Sequence, residues 1–210
     1  MRKIAITIII VVALGGIAWG LWLWRSSSTQ EPELAPMSTS GSEKAASPSE
    51  HNYADIDFAQ KMIVHNQQGI QMAEIAKQRA VSEEVRTLAA TISDGLTRDS
   101  EQYTSWLNTW GERYFNLSDF PEMDGHDMYP TLPGMATYSQ MSVLTAASGS
   151  EVDKMFLQMA TARHEGVIEM ANGTEFESMQ FGQITDLKTK SLKRQAEEIK
   201  MMRQLQANVN

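Results

Sequence analysis

A chain of 210 residues without a cysteine forms no disulfide, no zinc–thiolate centre and no thiol nucleophile. Its formal net charge of −8 sets it against nucleic acid and anionic lipid and draws cations weakly, without selectivity. Its 14 methionines are many for this length, but a thioether is both a soft ligand suited to Cu(I) and an ordinary core filler.

Ile4 to Trp24 carries no charge. At ~1.5 Å per residue it spans about 31 Å, the thickness of a bilayer core. Arg2 and Lys3 precede it, and beyond Arg25 the next charges are Glu31 and Glu33, which favours an N-terminus inside. Trp19, Trp22 and Trp24 crowd the outer end, where indole rings suit the lipid–water interface. A cleaved signal peptide is the rival, but its apolar region runs ~7–15 residues and ends at small residues. This stretch is longer and ends in Leu-Trp-Leu-Trp-Arg. The expectation is a signal-anchor over residues 1–25: a single-pass membrane protein with a cytoplasmic N-terminus and its remainder in the periplasm or extracellular space. Residues 26–50, rich in Ser, Pro, Glu and Ala, read as a flexible tether.

Residues 51–210 form the domain. Phe58, Met62, His65, Gly69, Met72 and Ala76 recur at spacings of three and four, predicting a helix from about Asp55 to Ala80. Ser82 caps a second helix, with Glu83 and Glu84 in its first turn and Gly111 as its stop. Its stripe is Val85, Leu88, Ile92, Leu96, Tyr103, Trp106 and Trp110. A long connection from Glu112 to Thr137 holds Pro121, Pro130 and Pro133, and a short helix runs from Ser139 through Ala147. Ser150-x-x-Asp153 resembles a capping box and opens a helix to Asn172-Gly173. Thr174-x-x-Glu177 is a capping box for a last helix reaching about Gln206. No segment alternates like a strand.

The chain repeats itself weakly. Phe58, Ile70, Met72 and Ala73 align with Phe156, Ile168, Met170 and Ala171 at a constant offset. With one residue of slippage, Asp99, Tyr103 and Trp106 align with Glu198, Met202 and Leu205. Each half is a helical hairpin that cannot bury its apolar face alone, and two together predict an all-α four-helix bundle.

Three groups could hold a soft ion. His65 sits on the first stripe with Met62 three residues before it, one helical turn away; Met72 lies two turns on. The alternative is a core histidine satisfied by a backbone or side-chain partner. His164 occupies the repeat position of Asn66, and Arg163 that of His65; the guanidinium makes this the poorer cation site, and a structural role suits it better. Met123, His126 and Met128 crowd one loop beside Asp124 and Asp127, with Met135 and Met141 following; a solvated turn with incidental methionines is the alternative. A di-iron carboxylate enzyme is excluded, because no histidine has a glutamate three residues before it. Phosphate-binding glycine loops, His-Glu-x-x-His and Gly-x-Ser-x-Gly are absent, so no catalytic residue is assigned.

Met62-Ile63-Val64-His65-Asn66-Gln67-Gln68-Gly69-Ile70-Gln71-Met72-Ala73 resembles the motif Met-Ile-x-His-His-x-x-Ala-Ile-x-Met-Ala of the bacterial domain-of-unknown-function family numbered 305. Pro133-Gly134-Met135 through Met141, Ala146-Ala147-Ser148-Gly149, Phe156-Leu157-Gln158-Met159 and His164 through Ala171 resemble its second half. The resemblance covers about residues 53 to 207. It implies a ferritin-like helical bundle, commonly exported, with CopM-like periplasmic members that bind copper through Met and His. Carried over by position, the implied ligands are Met62, His65, Met72, Met135, Met141, Met159, His164, Met170 and Met202. Asn66 and Arg163 stand where the family has histidine, Ala160 where it has methionine, and Tyr103 where the second half keeps Met202. Half of the imidazoles are thus replaced.

The expected function is a membrane-anchored, non-catalytic protein that buffers or sequesters Cu(I) or Ag(I) through Met and His. The alternative is a membrane-tethered interaction or scaffold module whose methionines are core. Expected partners are the membrane, through Ile4–Trp24, and soft metal ions; a homo-oligomer is left open.

Overall fold

Asn52 and Asp55 start the first helix by capping each other: the Asn52 side chain accepts from the Asp55 amide, and the Asp55 carboxylate accepts from the Asn52 amide. The structure is a computed structural model that describes residues 50–119 and 132–209. These residues hold five helices: α1 (Tyr53–Arg79), α2 (Glu83–Trp110), α3 (Tyr138–Ala146), α4 (Ser150–Ala171) and α5 (Gly182–Asn208). Single 3-10 turns lie at Leu117–Asp119 and Thr174–Phe176.

α1 and α2 form one hairpin and α4 and α5 the other, as the repeat predicts; α1 packs on α4 and α2 on α5. The nine-residue α3 lies across α1 and α4. It stands as a separate helix because Thr137 and Gln140 form a capping box, and it buries Met141 and Leu144. The expected four-helix bundle on a transmembrane helix is therefore corrected to an all-α bundle of five helices. No helix among the described residues is long and apolar enough to cross a membrane. Ile4–Trp24, on which the signal-anchor, the membrane partner and the single-pass location rested, lies outside the described residues, as does the tether up to residue 49. The expected membrane-anchored function is corrected with it, since none of the described helices can serve as the anchor.

Each hairpin grips the turn of the other. On α4, Asp153 is buried and accepts from the backbone amides of Val81 (2.8 Å) and Ser82 (3.0 Å), in the α1–α2 turn. On α1, the buried Asp55 accepts from Gln180 and Phe181 (both 3.2 Å), just before α5. Asp55 and Asp153 are separated by the repeat offset. These contacts explain two departures from the expected caps. Asp153 is engaged with Val81 and Ser82 rather than with Ser150, and α4 starts without a side-chain cap. Thr174–Phe176 forms only a 3-10 turn, with Phe176 buried beside Phe58, so α5 begins at Gly182 rather than after Thr174. Ser82 and Gly111 bound α2 as expected: Ser82 accepts from Val85, and Gly111 has φ +74°.

The core falls into two apolar clusters. One gathers Met72, Leu88, Ile92, Leu96, Phe156 and Met202; the other gathers Phe58, Met62, Tyr103, Leu107, Val167 and Phe176. In each of the four long helices the residues between the two clusters are polar and buried: His65 and Asn66, Asp99, Arg163 and His164, then Ser191, Gln195 and Glu198. A polar layer thus cuts the bundle across its middle.

Candidate metal-binding site

Residues 132–136 return from the inter-hairpin connection and press onto α4. Gly134 has φ +78°, and a Cβ there would lie 2.4 Å from the Ala162 carbonyl oxygen. A Cβ on Gly166 would lie 2.1 Å from the Pro133 carbonyl oxygen, so this approach needs glycine on both sides. Two buried α1 side chains hold the strap. His65 donates through Nε2 to the Pro133 carbonyl at 2.9 Å. The Gln68 amide donates to the Ala136 carbonyl and accepts from the Ala136 amide, both at 2.8 Å.

The strap places Met135 opposite α4, where Met155 and Met159, one helical turn apart, face the same way. The three methionines line an open cavity of about 370 Å³ between the strap, α3 and α4. Ser139, Gln140 and Gln158 share its wall, which has no charged side chain. Met159 is buried, while Met135 and Met155 are half-buried.

The polar layer is arranged differently. Arg163 is buried and reaches from α4 into the bundle: Nε donates to the His65 carbonyl (3.2 Å), Nη2 to Asn66 Oδ1 (2.7 Å) and Nη1 to Gln195 Oε1 (3.3 Å). His164 donates through Nε2 to Glu198 Oε2 at 2.7 Å and presents Nδ1 to Arg163 Nη1 at 3.4 Å. Asp99 accepts from Ser191 (2.8 Å) and from Arg194 Nη2 (2.6 Å). Burial, reinforced by Arg163, pulls His65 down to about 3, and burial also holds His164 below the ordinary imidazole range against the pull of Glu198. Burial lowers Arg163 itself to about 10, so the guanidinium stays charged at neutral pH. Both imidazoles are neutral beside a fixed cation.

A metal ion does not fit this layer as it stands. Arg194 pairs with Asp99 at 2.6 Å and lies 3.6 Å from Glu198, and the buried Arg163 adds a second fixed positive charge to the layer. A Cu(I) ion ~4 Å from the guanidinium would cost about 4 kcal/mol at an effective dielectric of ~20, roughly a thousandfold in affinity. The methionine cavity fits soft-ion chemistry better, with neutral sulfur donors, no competing charge and an open mouth.

The twelve residues expected from sequence separate into these places. Met62 and Met170 pack in one apolar cluster; Met72, Met141 and Met202 belong to the other, and the Met202 sulfur accepts from Thr161 Oγ1 at 3.7 Å. Met159 joins that second cluster as well as the cavity wall, where it meets Met135. His65 and His164 lie in the polar layer. Met123, His126 and Met128 lie outside the described residues. Among the described residues no group of three or more His, Asp or Glu could hold a metal ion. Sequence reasoning missed Met155, although its spacing of four to Met159 was legible, and it missed Gln68 and Gln195, for which the sequence holds no signal. It had aligned Asp99 with Glu198 as a repeat pair without giving them a role.

The fold and this polar layer define a duplicated helical-hairpin bundle. The family model for the domain of unknown function DUF305 matches residues 55–206, and the chain belongs to that family. A putative secreted DUF305 protein from Streptomyces coelicolor is 31% identical with a TM-score of 0.64, over 74% of this chain and 92% of that one. CopM in its Cu(II)-bound form is 25% identical with a TM-score of 0.60, over 74% and 97%. CopM in its Cu(I)-bound form, at 23% identity and a TM-score of 0.57 over 75% and 98%, shares the fold. No curated protein matches the chain.

Proposed function

We propose that this chain binds Cu(I) without catalysis, with the thioethers of Met135, Met155 and Met159 as ligands. The observation that carries this reading is three methionines from two separate segments lining one uncharged, open cavity. Thioether sulfur favours Cu(I), and Ag(I) serves as its redox-inert surrogate. Kinship with CopM, described in two copper-bound forms, supports copper as the metal. Soft neutral donors select against the hard cations that the acidic surface would otherwise gather. Such a site suits buffering, because the half-buried Met135 and Met155 can take up and release the ion without unfolding.

The test is titration of the full chain with Cu(I) against a competing chelator. The triple variant Met135→Leu, Met155→Leu, Met159→Leu keeps the volume and removes the sulfur. It should lose at least tenfold in affinity while its helix content and melting temperature stay close to those of the parent. Equal affinity in parent and variant overturns the proposal. Loss of binding in a Met123, His126, Met128 triple alanine variant instead would move the ion to that loop.

A further inference from the structure

We infer that the guanidinium of Arg163 is a built-in cation occupying the place between the two hairpins where a metal ion could otherwise bind, so that the bundle centre is a metal site closed by a side chain. The inference concerns a second location and does not depend on copper binding at the methionine cavity.

The repeat brings the paired positions 65 and 163, and 66 and 164, to one layer. Two hold imidazoles, one holds an amide and the fourth holds the arginine. The guanidinium bonds to groups on α1 and α5 and meets the His164 ring on its own helix, as a coordinated ion would tie helices together. Gly69 lies in the interior of α1, where glycine is a poor helix former, and a Cβ there would lie 2.5 Å from Arg163 Nε, 2.7 Å from Leu96 Cδ1 and 3.0 Å from Arg163 Cδ, so the guanidinium needs a glycine beside it. In the same polar layer, two buried donor atoms of the kind that bind borderline metals remain unused. His65 Nδ1 has no hydrogen-bond partner, and neither does Glu198 Oε1, whose nearest cation is Arg194 Nε at 3.6 Å. Replacing the guanidinium with an imidazole removes the fixed charge and adds one more nitrogen donor beside His65, His164 and Glu198. The ligand class for the opened site is a divalent ion that favours imidazole and carboxylate, such as Zn(II).

The test uses the full chain in two arms. In the first, Arg163→His is titrated with Zn(II) alone. It should bind one equivalent more than the parent, and adding His65→Ala should remove that equivalent. A folded Arg163→His that takes up no more Zn(II) than the parent overturns the inference. The second arm applies whether or not that variant folds. In the parent, His164→Gln should leave the number of bound Zn(II) and Cu(I) equivalents unchanged, and loss of one equivalent shows that the centre is open and overturns the inference. Gly69→Ala should lower the melting temperature by several degrees in the parent and by less in the Arg163→His background, where only the contact with Leu96 remains. Equal losses in both also count against it. Failure of the methionine triple variant to affect Cu(I) would leave every one of these readouts standing.

Discussion

The bundle centre and the methionine cavity lie one helical turn apart on α4, at Arg163 and Met159, and treat a cation in opposite ways. The centre is closed, and its two carboxylates are matched by two guanidinium groups. The cavity is open, neutral and soft, built from one helix and a strap. The difference teaches that histidines in a buried cluster are not by themselves a metal site. The charge already present decides, and here a single arginine sets it.

The largest effect should come from breaking the centre. Arg163→Met leaves the His65 carbonyl, Asn66 and Gln195 buried with a partner missing and takes a charge out of the polar layer, and should cost about 3–5 kcal/mol, read from urea unfolding. If the two regions are as separate as they look, the folded fraction of that variant binds Cu(I) as the parent does.

Acid should weaken the same region. His65 is neutral in the fold down to about pH 3 but takes up a proton near its ordinary value of 6.5 when unfolded. Between those values the unfolded chain holds more protons, so stability is full above pH 6.5 and falls as pH drops toward 3. The slope is up to roughly 1.4 kcal/mol per pH unit for this residue. His164, shifted the same way, adds to it. Melting temperatures across pH 4–7 check this, and His65→Gln should flatten the profile.

Asp55→Ala and Asp153→Ala test whether the halves are equivalent outside the centre. Each removes charge-assisted bonds to the opposite turn, and each should cost about 1.5–3 kcal/mol in urea unfolding. A large inequality between them would show that only one turn is gripped firmly.

The smallest change in stability, and the most informative for the cavity, is expected from Gln68→Leu. It removes both bonds to Ala136 and should cost about 1–2 kcal/mol. It should also weaken Cu(I) binding about tenfold by loosening Met135. Unchanged affinity would mean that the strap is held without it.

Much of the fold was legible in the sequence. The stripes through Phe58, Met62 and Met72 and through Val85, Leu88 and Ile92 gave the helices, and the constant offset gave the paired hairpins. The start of α5 was not legible, because a tertiary contact, Asp55 with Phe181, overrides the local capping signal at Thr174. The cavity was half legible. Met135 and Met159 stood in the family pattern, but their meeting depends on a strap held by His65 and Gln68, each 68 residues away in sequence. The role of Arg163 could be read as a departure from histidine, but the space beside Gly69 that admits it appears only in three dimensions.

The reciprocal grip of Asp55 and Asp153 bears on assembly. Since each carboxylate finds its partners on the other half, the information for docking is divided equally between the hairpins. Supplied as two separate polypeptides, 50–119 and 132–209, they should find one another in solution and restore a single cooperative unit, while neither alone should hold its helices in register.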